Sequence, residues 1–187
     1  RNQKFQTSEG FRSIYFVDIP FVSKTNTLNN TYNLNYYTGL YENNVSIFSI
    51  YLSAVESITN DDVKLSERVF LPSSKLRGFE TGKVGPKDGN DFIGGNYATA
   101  LNFSSTIPQL LGNSENIDVL FFLDAANVWG VDYDKSINDN SKIRSSIGIG
   151  IDWLTPIGPI NFTFAETITK ADTDITETFR FNLGTTF

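Results

Sequence analysis

The chain has 187 residues, enough for one domain with a sizeable core, and its net charge of −6 and pI near 4.6 argue against a nucleic-acid partner, because phosphate binding needs a basic face. Cys, Met and His are absent, so there is no disulfide, no thiolate metal site and no imidazole ligand or base; neither an enzyme nor a cofactor is expected. No run approaches the roughly 18 consecutive apolar residues of a membrane-spanning helix, but a mean hydropathy of −0.20 leaves open a barrel whose strands alternate lipid-facing and lumen-facing residues.

The chain opens on Arg1-Asn2-Gln3-Lys4, which has no apolar stretch behind it and is no signal peptide; an exported protein is therefore expected to have lost its beginning here. Phe11, Ser13, Tyr15, Val17, Ile19 and Phe21 form the first stripe at period two, and Tyr32, Leu34, Tyr36, Thr38 and Leu40 the second. Between 45 and 55 both faces carry apolar residues, as a buried strand also would. A long segment follows, from about 57 to 93. Beyond it Tyr97, Thr99, Leu101, Phe103 and Ile107 oppose Asn96, Ala98, Ala100, Asn102 and Ser104, small and polar residues that suit a wet or crowded interior. From 117 to 129 both faces are apolar again. The clearest alternation sets Ile143, Ser145, Ile147, Ile149, Ile151 and Trp153 against Arg144, Ser146, Gly148, Gly150 and Asp152. Ile160, Phe162 and Phe164 then alternate with Asn161, Thr163 and Ala165. The chain ends with Phe179, Phe181, Leu183 and Phe187 against Thr178, Arg180, Asn182 and Thr186, with Gly184 in the polar set.

These stripes make about eight strands, each near the ~9–11 residues that a tilted strand needs to cross a bilayer. Thr155-Pro156-Ile157-Gly158-Pro159 and Glu42-Asn43-Asn44 are tight turns and the link 108–116 is fairly short, whereas 131–142 and 57–93 are long. Short turns on one rim and long loops on the other is the outer-membrane barrel arrangement, with the long loops extracellular. Loops beyond ~12–15 residues are usually functional or disordered, which makes 57–93 the first place to look for function. Alternating strands also build soluble sandwiches, and an apolar face of Ile, Phe, Tyr, Leu and Trp favours the barrel without deciding the matter. Asp61, Asp62, Glu67, Asp88 and Asp91 follow no cation-loop spacing and read as solvated surface, and Gly148 and Gly150 lack the strand-to-helix setting of a phosphate cradle.

Leu76-Arg77-Gly78-Phe79, followed by Gly85-Pro86 and Gly94-Gly95-Asn96, resembles the BamA family of outer-membrane assembly factors, in which an Arg-Gly-Phe motif lies in a long extracellular loop tucked back into the lumen. The resemblance continues through Phe121-Phe122-Leu123-Asp124, Asn127-Val128-Trp129, Ser146-Ile147-Gly148 and Trp153-Leu154-Thr155-Pro156-Ile157-Gly158-Pro159. It ends at Phe179-Arg180-Phe181-Asn182-Leu183-Gly184-Thr185-Thr186-Phe187, which is similar to the family's closing strand. Arg1-Asn2 with Thr7-Ser8-Glu9-Gly10 is similar to the family's motif at an earlier barrel turn. The similarity is dense from 76 to 187 and weak between 11 and 70.

That resemblance implies an all-β, antiparallel transmembrane barrel, of which residues 1–187 supply the C-terminal part: the last strands of a barrel of about sixteen, with POTRA domains and the first strands upstream. A guanidinium in a protein-lined lumen is costly unless paired, and its planar fork suits a carboxylate. In the family a lumenal Asp holds the loop arginine, which assigns Asp124, on the face of Phe122 and Ala126, to Arg77. Gly78 would let the loop turn sharply beside the wall, and Phe79 would anchor it by packing. Ala126 stands where the family commonly has glycine and Asn102 where it often has an acid, so a thinner lumenal network is expected. Glu166 shares a face with Phe164 and Ile168 and is placed near the extracellular rim.

The function so implied is assembly and insertion of β-barrel proteins in the bacterial outer membrane, through a weak seam between first and last strands. Phe179, Phe181, Gly184 and Phe187 mark one side of that seam, with the C-terminus periplasmic. The implied partners are outer-membrane lipid and lipopolysaccharide, nascent outer-membrane β-barrel proteins and accessory lipoproteins. Alternatives are a two-partner-secretion transporter exporting a passenger polypeptide past the same loop, a passive porin, and a soluble β-sandwich binding module. Eight strands of a larger barrel leave two raw edges, so the chain is expected to close on itself as a small barrel or to pair with another copy.

Overall fold

The computed structural model describes residues 7–19, 26–59, 61–108, 110, 116–137, 142–156 and 158–184. Its strands are β1 (Gly10–Asp18), β2 (Thr27–Thr38), β3 (Ser46–Ser57), β4 (Lys87–Asp88), β5 (Asp91–Phe92), β6 (Tyr97–Thr106), β7 (Ile117–Trp129), β8 (Arg144–Thr155), β9 (Gly158–Thr169) and β10 (Phe179–Leu183). Eight of them form one antiparallel sheet, in the order β1-β2-β3-β6-β7-β8-β9-β10, so each strand pairs with its neighbour along the chain. The two-residue strands β4 and β5 make a separate hairpin inside the long loop. The fold is all-β, as the period-two alternation predicts, and the described residues hold no α-helix. Phe21, Arg1, Asn2, Ile157, Thr185, Thr186 and Phe187, all singled out in the sequence, lie outside the described residues.

The predicted faces are the observed faces. On β7 the inner set Leu120, Phe122, Asp124, Ala126 and Val128 is buried, while Leu123 on the other face is exposed. Register carries that alternation across the sheet: Asp124 stands opposite Ser146 and Asn102, and Leu123 opposite Ile147 and Phe103. Outward-facing Phe164 and Phe179 stack across β9 and β10 with ring centroids 5.0 Å apart, and Phe162 and Phe181 at 5.4 Å. Glu166 is exposed on the face of Phe164 and Ile168, on the half of β9 nearer the end that leads into the connector to β10.

The long loop explains the segments with two apolar faces. It lies against the inner face of the sheet, and Val63, Val69, Leu71, Leu76, Phe79 and Val84 form one core with Tyr51, Val55, Ala98, Ala100, Ala126 and Val128 of β3, β6 and β7. Those strands are apolar outward for one environment and apolar inward for the loop. The alanines of β6 and β7 keep the wall thin enough for the loop to approach closely.

Of the two expected fates of the edges, closure of the chain on itself is not observed. β1 pairs only with β2 and β10 only with β9, so the chain does not close on itself; the sheet is open, with β1 and β10 as its edges. The physical reason is occupancy: an eight-strand barrel has an interior just wide enough for its own side chains, and here the loop core lies on the inner face of β3, β6 and β7. The described part of the last strand runs from Phe179 to Leu183; Gly184 then adopts a φ of 85°, and its N–H still bonds the Pro159 carbonyl of β9 at 2.8 Å.

An outward face of Ile, Phe, Leu and Trp suits hydrocarbon. Ile149→Lys, at the middle of β8, is expected to destabilise the full-length barrel by ~2–4 kcal/mol in a bilayer, as read from urea unfolding in lipid vesicles.

Candidate functional site

The site is built where the loop meets β7. Arg77 projects from the loop onto Asp124, and the two form a fork: Nε donates to Oδ2 at 2.7 Å and Nη2 to Oδ1 at 2.7 Å. The Arg77 backbone N–H also donates to Oδ2, at 3.0 Å, so the carboxylate holds the chain as well as the side chain. Both residues are buried, with Asp124 fully so. The guanidinium carbon lies 3.7 Å from the centre of the Phe122 ring, and Nη2 reaches the Ser104 hydroxyl at 3.2 Å. Asn102 donates its amide to Asp124 Oδ1 at 2.8 Å and to the Lys75 carbonyl at 2.9 Å. It thus ties the loop to the same carboxylate without adding charge.

The next two residues settle the loop on β8 and β9. Gly78 has a φ of 87°, and a Cβ there would lie 3.0 Å from that of Ala165 and 3.2 Å from that of Ser146, so both conformation and space call for glycine. The Ser146 hydroxyl donates to the Arg77 carbonyl, and the Thr167 hydroxyl to the Gly78 carbonyl at 3.3 Å. Phe79 is 1 % exposed and makes an antiparallel bridge with Thr176. Arg77, Gly78, Phe79 and Asp124 are therefore brought together, whereas Phe179, Phe181 and Gly184 sit apart on the edge strand and its end.

Three further ion pairs among the described residues hold the loop system, and sequence reasoning named none of them. Arg144 of β8 forks onto Asp174 at 2.9 and 3.2 Å, and Asp174 in turn accepts the Gly85 and Ala171 N–H groups. Arg180 of β10 pairs with Glu177 at 2.6 Å. Arg68 pairs with Asp132, which also accepts the Val63 N–H at 2.9 Å and the Asn96 amide at 3.0 Å. Burial pushes the Asp132 carboxyl up, but the Val63 N–H, the Asn96 amide and the Arg68 charge outweigh it and hold the group below its usual range. The signal for two of these was present: Arg144 and Arg180 fall on the polar, inward set of their strands, where a guanidinium needs an acid. Their partners lie in the connector 170–178 and the loops, which carry no periodicity.

Residues 1–187, the whole chain, match the Omp85 superfamily domain. The chain belongs to that superfamily. Among its relatives, this Omp85 chain is 27% identical over 128 residues to the outer membrane protein assembly factor BamA of Neorickettsia risticii, a match that takes in 67% of the chain and 17% of that protein. The assembly factor BamA of Neisseria meningitidis serogroup B is 27% identical over 139 residues, covering 60% and 17%. A SAM50-like protein of Schizosaccharomyces pombe is 28% identical over 130 residues, covering 66% and 27%. In structure, the Omp85 chain superposes on BamA from Haemophilus ducreyi lacking POTRA domains 1–3 with a TM-score of 0.85 and 25% identity, over 96% of this chain and 39% of that one. The chain thus spans under a fifth of the two BamA relatives.

Removing one member of a buried pair strands the other. Arg77→Ala is expected to destabilise the Omp85 domain by ~3–5 kcal/mol in urea unfolding, because Asp124 keeps its charge without its cation. Arg77→Ala with Asp124→Ala should cost less than the sum of the single changes. The Asp132 contribution has the opposite end of the pH scale as its limit. A depressed carboxyl stabilises above the ordinary carboxylate range and loses that contribution as pH falls through its own lowered value, so Asp132→Asn should flatten the acid limb of an unfolding-midpoint titration.

Proposed function

We propose that the protein containing this chain assembles and inserts β-barrel proteins into the bacterial outer membrane, and that the chain forms the closing part of its barrel. One observation carries the reading: the Arg-Gly-Phe segment is held on the inner wall by the buried Arg77–Asp124 fork. Membership of the superfamily and the assembly role printed for the bacterial relatives supply its setting. A binding module has no use for a charged loop buried against a strand, and a passive pore would lose conducting area to it.

The mechanism is physical. An unpaired backbone group in hydrocarbon costs several kcal/mol, so a closed barrel normally has no edge. A barrel whose last strand carries a glycine at positive φ can bend away at that place and offer its edge to an incoming strand. Phe179, Phe181, Gly184 and Phe187 would form one side of that seam, with the partner strand supplied from upstream. Phe179 and Phe181 stay anchored through Phe164 and Phe162, and Gly184, with a φ of 85°, keeps one backbone bond to β9 through the Pro159 carbonyl. In this reading the long loops face outward from the cell and the tight turns and C-terminus face the periplasm. The partners are outer-membrane lipid and lipopolysaccharide, nascent barrel proteins and accessory lipoproteins.

Arg77→Ala in the full-length protein is expected to lower the level of folded porins in the outer membrane, measured on membranes from cells whose only copy is the variant. Normal porin levels, with the variant present at wild-type amount, would refute the assembly role of the loop.

A further inference from the structure

The last strand is held from two sides, by its neighbour in the sheet and by the loop in front of it. Among the described residues β10 is five residues long, against 12 for β9; its ladder with β9 runs from Phe179 to Leu183, flanked by the bonds from the Ala165 N–H to the Thr178 carbonyl at 2.9 Å and from the Gly184 N–H to the Pro159 carbonyl at 2.8 Å. The chain just before it leaves the sheet. Ala171 and Asp174 are buried, and residues 175–177 form a second short ladder with the loop: the Glu80 N–H donates to the Ile175 carbonyl at 2.9 Å, the Ile175 N–H to the Lys83 carbonyl at 3.1 Å and the Glu177 N–H to the Gly78 carbonyl at 3.0 Å. Phe79 and Thr176 bridge in the middle of that ladder.

Arg180 joins the two ladders. It lies on the inner face of β10, and its guanidinium donates through Nη2 to the Phe79 carbonyl at 2.6 Å and through Nη1 to the Ser73 carbonyl at 3.3 Å. Nε and Nη2 also reach Glu177 Oε2 at 2.9 and 2.6 Å, which fixes the plane of the fork. Only this side chain of β10 reaches the loop in any hydrogen bond among the described residues. At the other end of the same loop segment Arg77 is bolted to β7 through Asp124. Five donors in one rigid plane can hold carbonyls from two stretches of loop at once, which a lysine cannot do.

We propose that Arg180 is a positioning residue that latches the last strand to the Arg-Gly-Phe loop, so that β10 cannot swing while the loop stays on β7. The inference rests on the seam reading above and names its regulation: the seam is released by undocking the loop, at Arg180 or at Asp124, and not by breaking the β9–β10 ladder. The loop segment 73–79 is then one lever with a wall end at Asp124 and a seam end at Arg180.

The test uses the full-length protein in lipid nanodiscs, with spin labels at the outward positions Leu101 of β6 and Leu183 of β10, and double electron–electron resonance to read their separation. Arg180→Ala is expected to raise the population with β10 displaced by roughly tenfold, the size expected when a charged hydrogen-bond donor is lost. Arg180→Lys should restore part of the native distance. Asp124→Ala should raise the same displaced population, and the double variant should show less than the combined effect, because both changes cut one connection. An unchanged distance in Arg180→Ala, or in Arg180→Gln if the alanine variant does not fold, overturns the latch, as does full additivity with Asp124→Ala. Porin levels measured in parallel separate the two ideas. Displaced strands with normal porins uphold the latch and remove the seam's role in assembly; undisplaced strands, with Arg77→Ala still impairing assembly, remove the latch alone.

Discussion

A charge pair buried between a loop and a sheet is the constraint on which the rest of this architecture turns. A guanidinium taken out of water is tolerated only where a carboxylate meets it in good geometry and the remaining donors and acceptors are satisfied. Arg77 and Asp124 meet that condition with two side-chain bonds, a backbone bond, the Ser104 hydroxyl, the Asn102 amide and the face of Phe122. Because so many partners converge, the loop has one place to sit. Its position in turn sets which inner-face residues of β6 and β7 are small, and why Gly78 is glycine.

The sheet has two faces because it has two surroundings. Outward, single residues of Ile, Leu, Phe and Trp meet hydrocarbon and need only be apolar. Inward, the chain must satisfy a densely packed loop, and there the residues are particular: alanines under Leu76 and Phe79, hydroxyls and amides under the loop carbonyls, arginines where acidic residues approach. The same asymmetry explains why the chain stays open. Closing eight strands would take the space that the loop occupies.

The departures from the family pattern also have a physical reading. Asn102 offers a neutral donor to Asp124 where a second carboxylate would have competed with it for Arg77, so charge balance at the fork is one to one. Ala126 lies in the core cluster with Leu76 and Phe79, and its methyl group adds packing where a glycine would leave space. Asp174, an acid in a connector, adds a second tie by bonding Arg144, the Gly85 N–H of the long loop and the Ala171 N–H of its own connector.

Alternation at period two was enough to mark most of the strands and their faces, because a strand shows its two surroundings directly in successive side chains; that they form a barrel wall was what the resemblance implied. The resemblance, by placing the loop in the lumen, implied that Arg77 needs an acid and pointed to Asp124. What only the tertiary structure decided was the path of 57–96 across the inner wall, the open edges, and the ties from Arg144, Arg180 and Arg68 to Asp174, Glu177 and Asp132. Loops carry no period, and their partners are chosen by proximity in space between residues far apart in sequence; Arg77 and Asp124 are 47 positions apart, and Arg180 and Phe79 are 101. The backbone carbonyls that Arg180 binds leave no trace in the letters at all, since every residue has one.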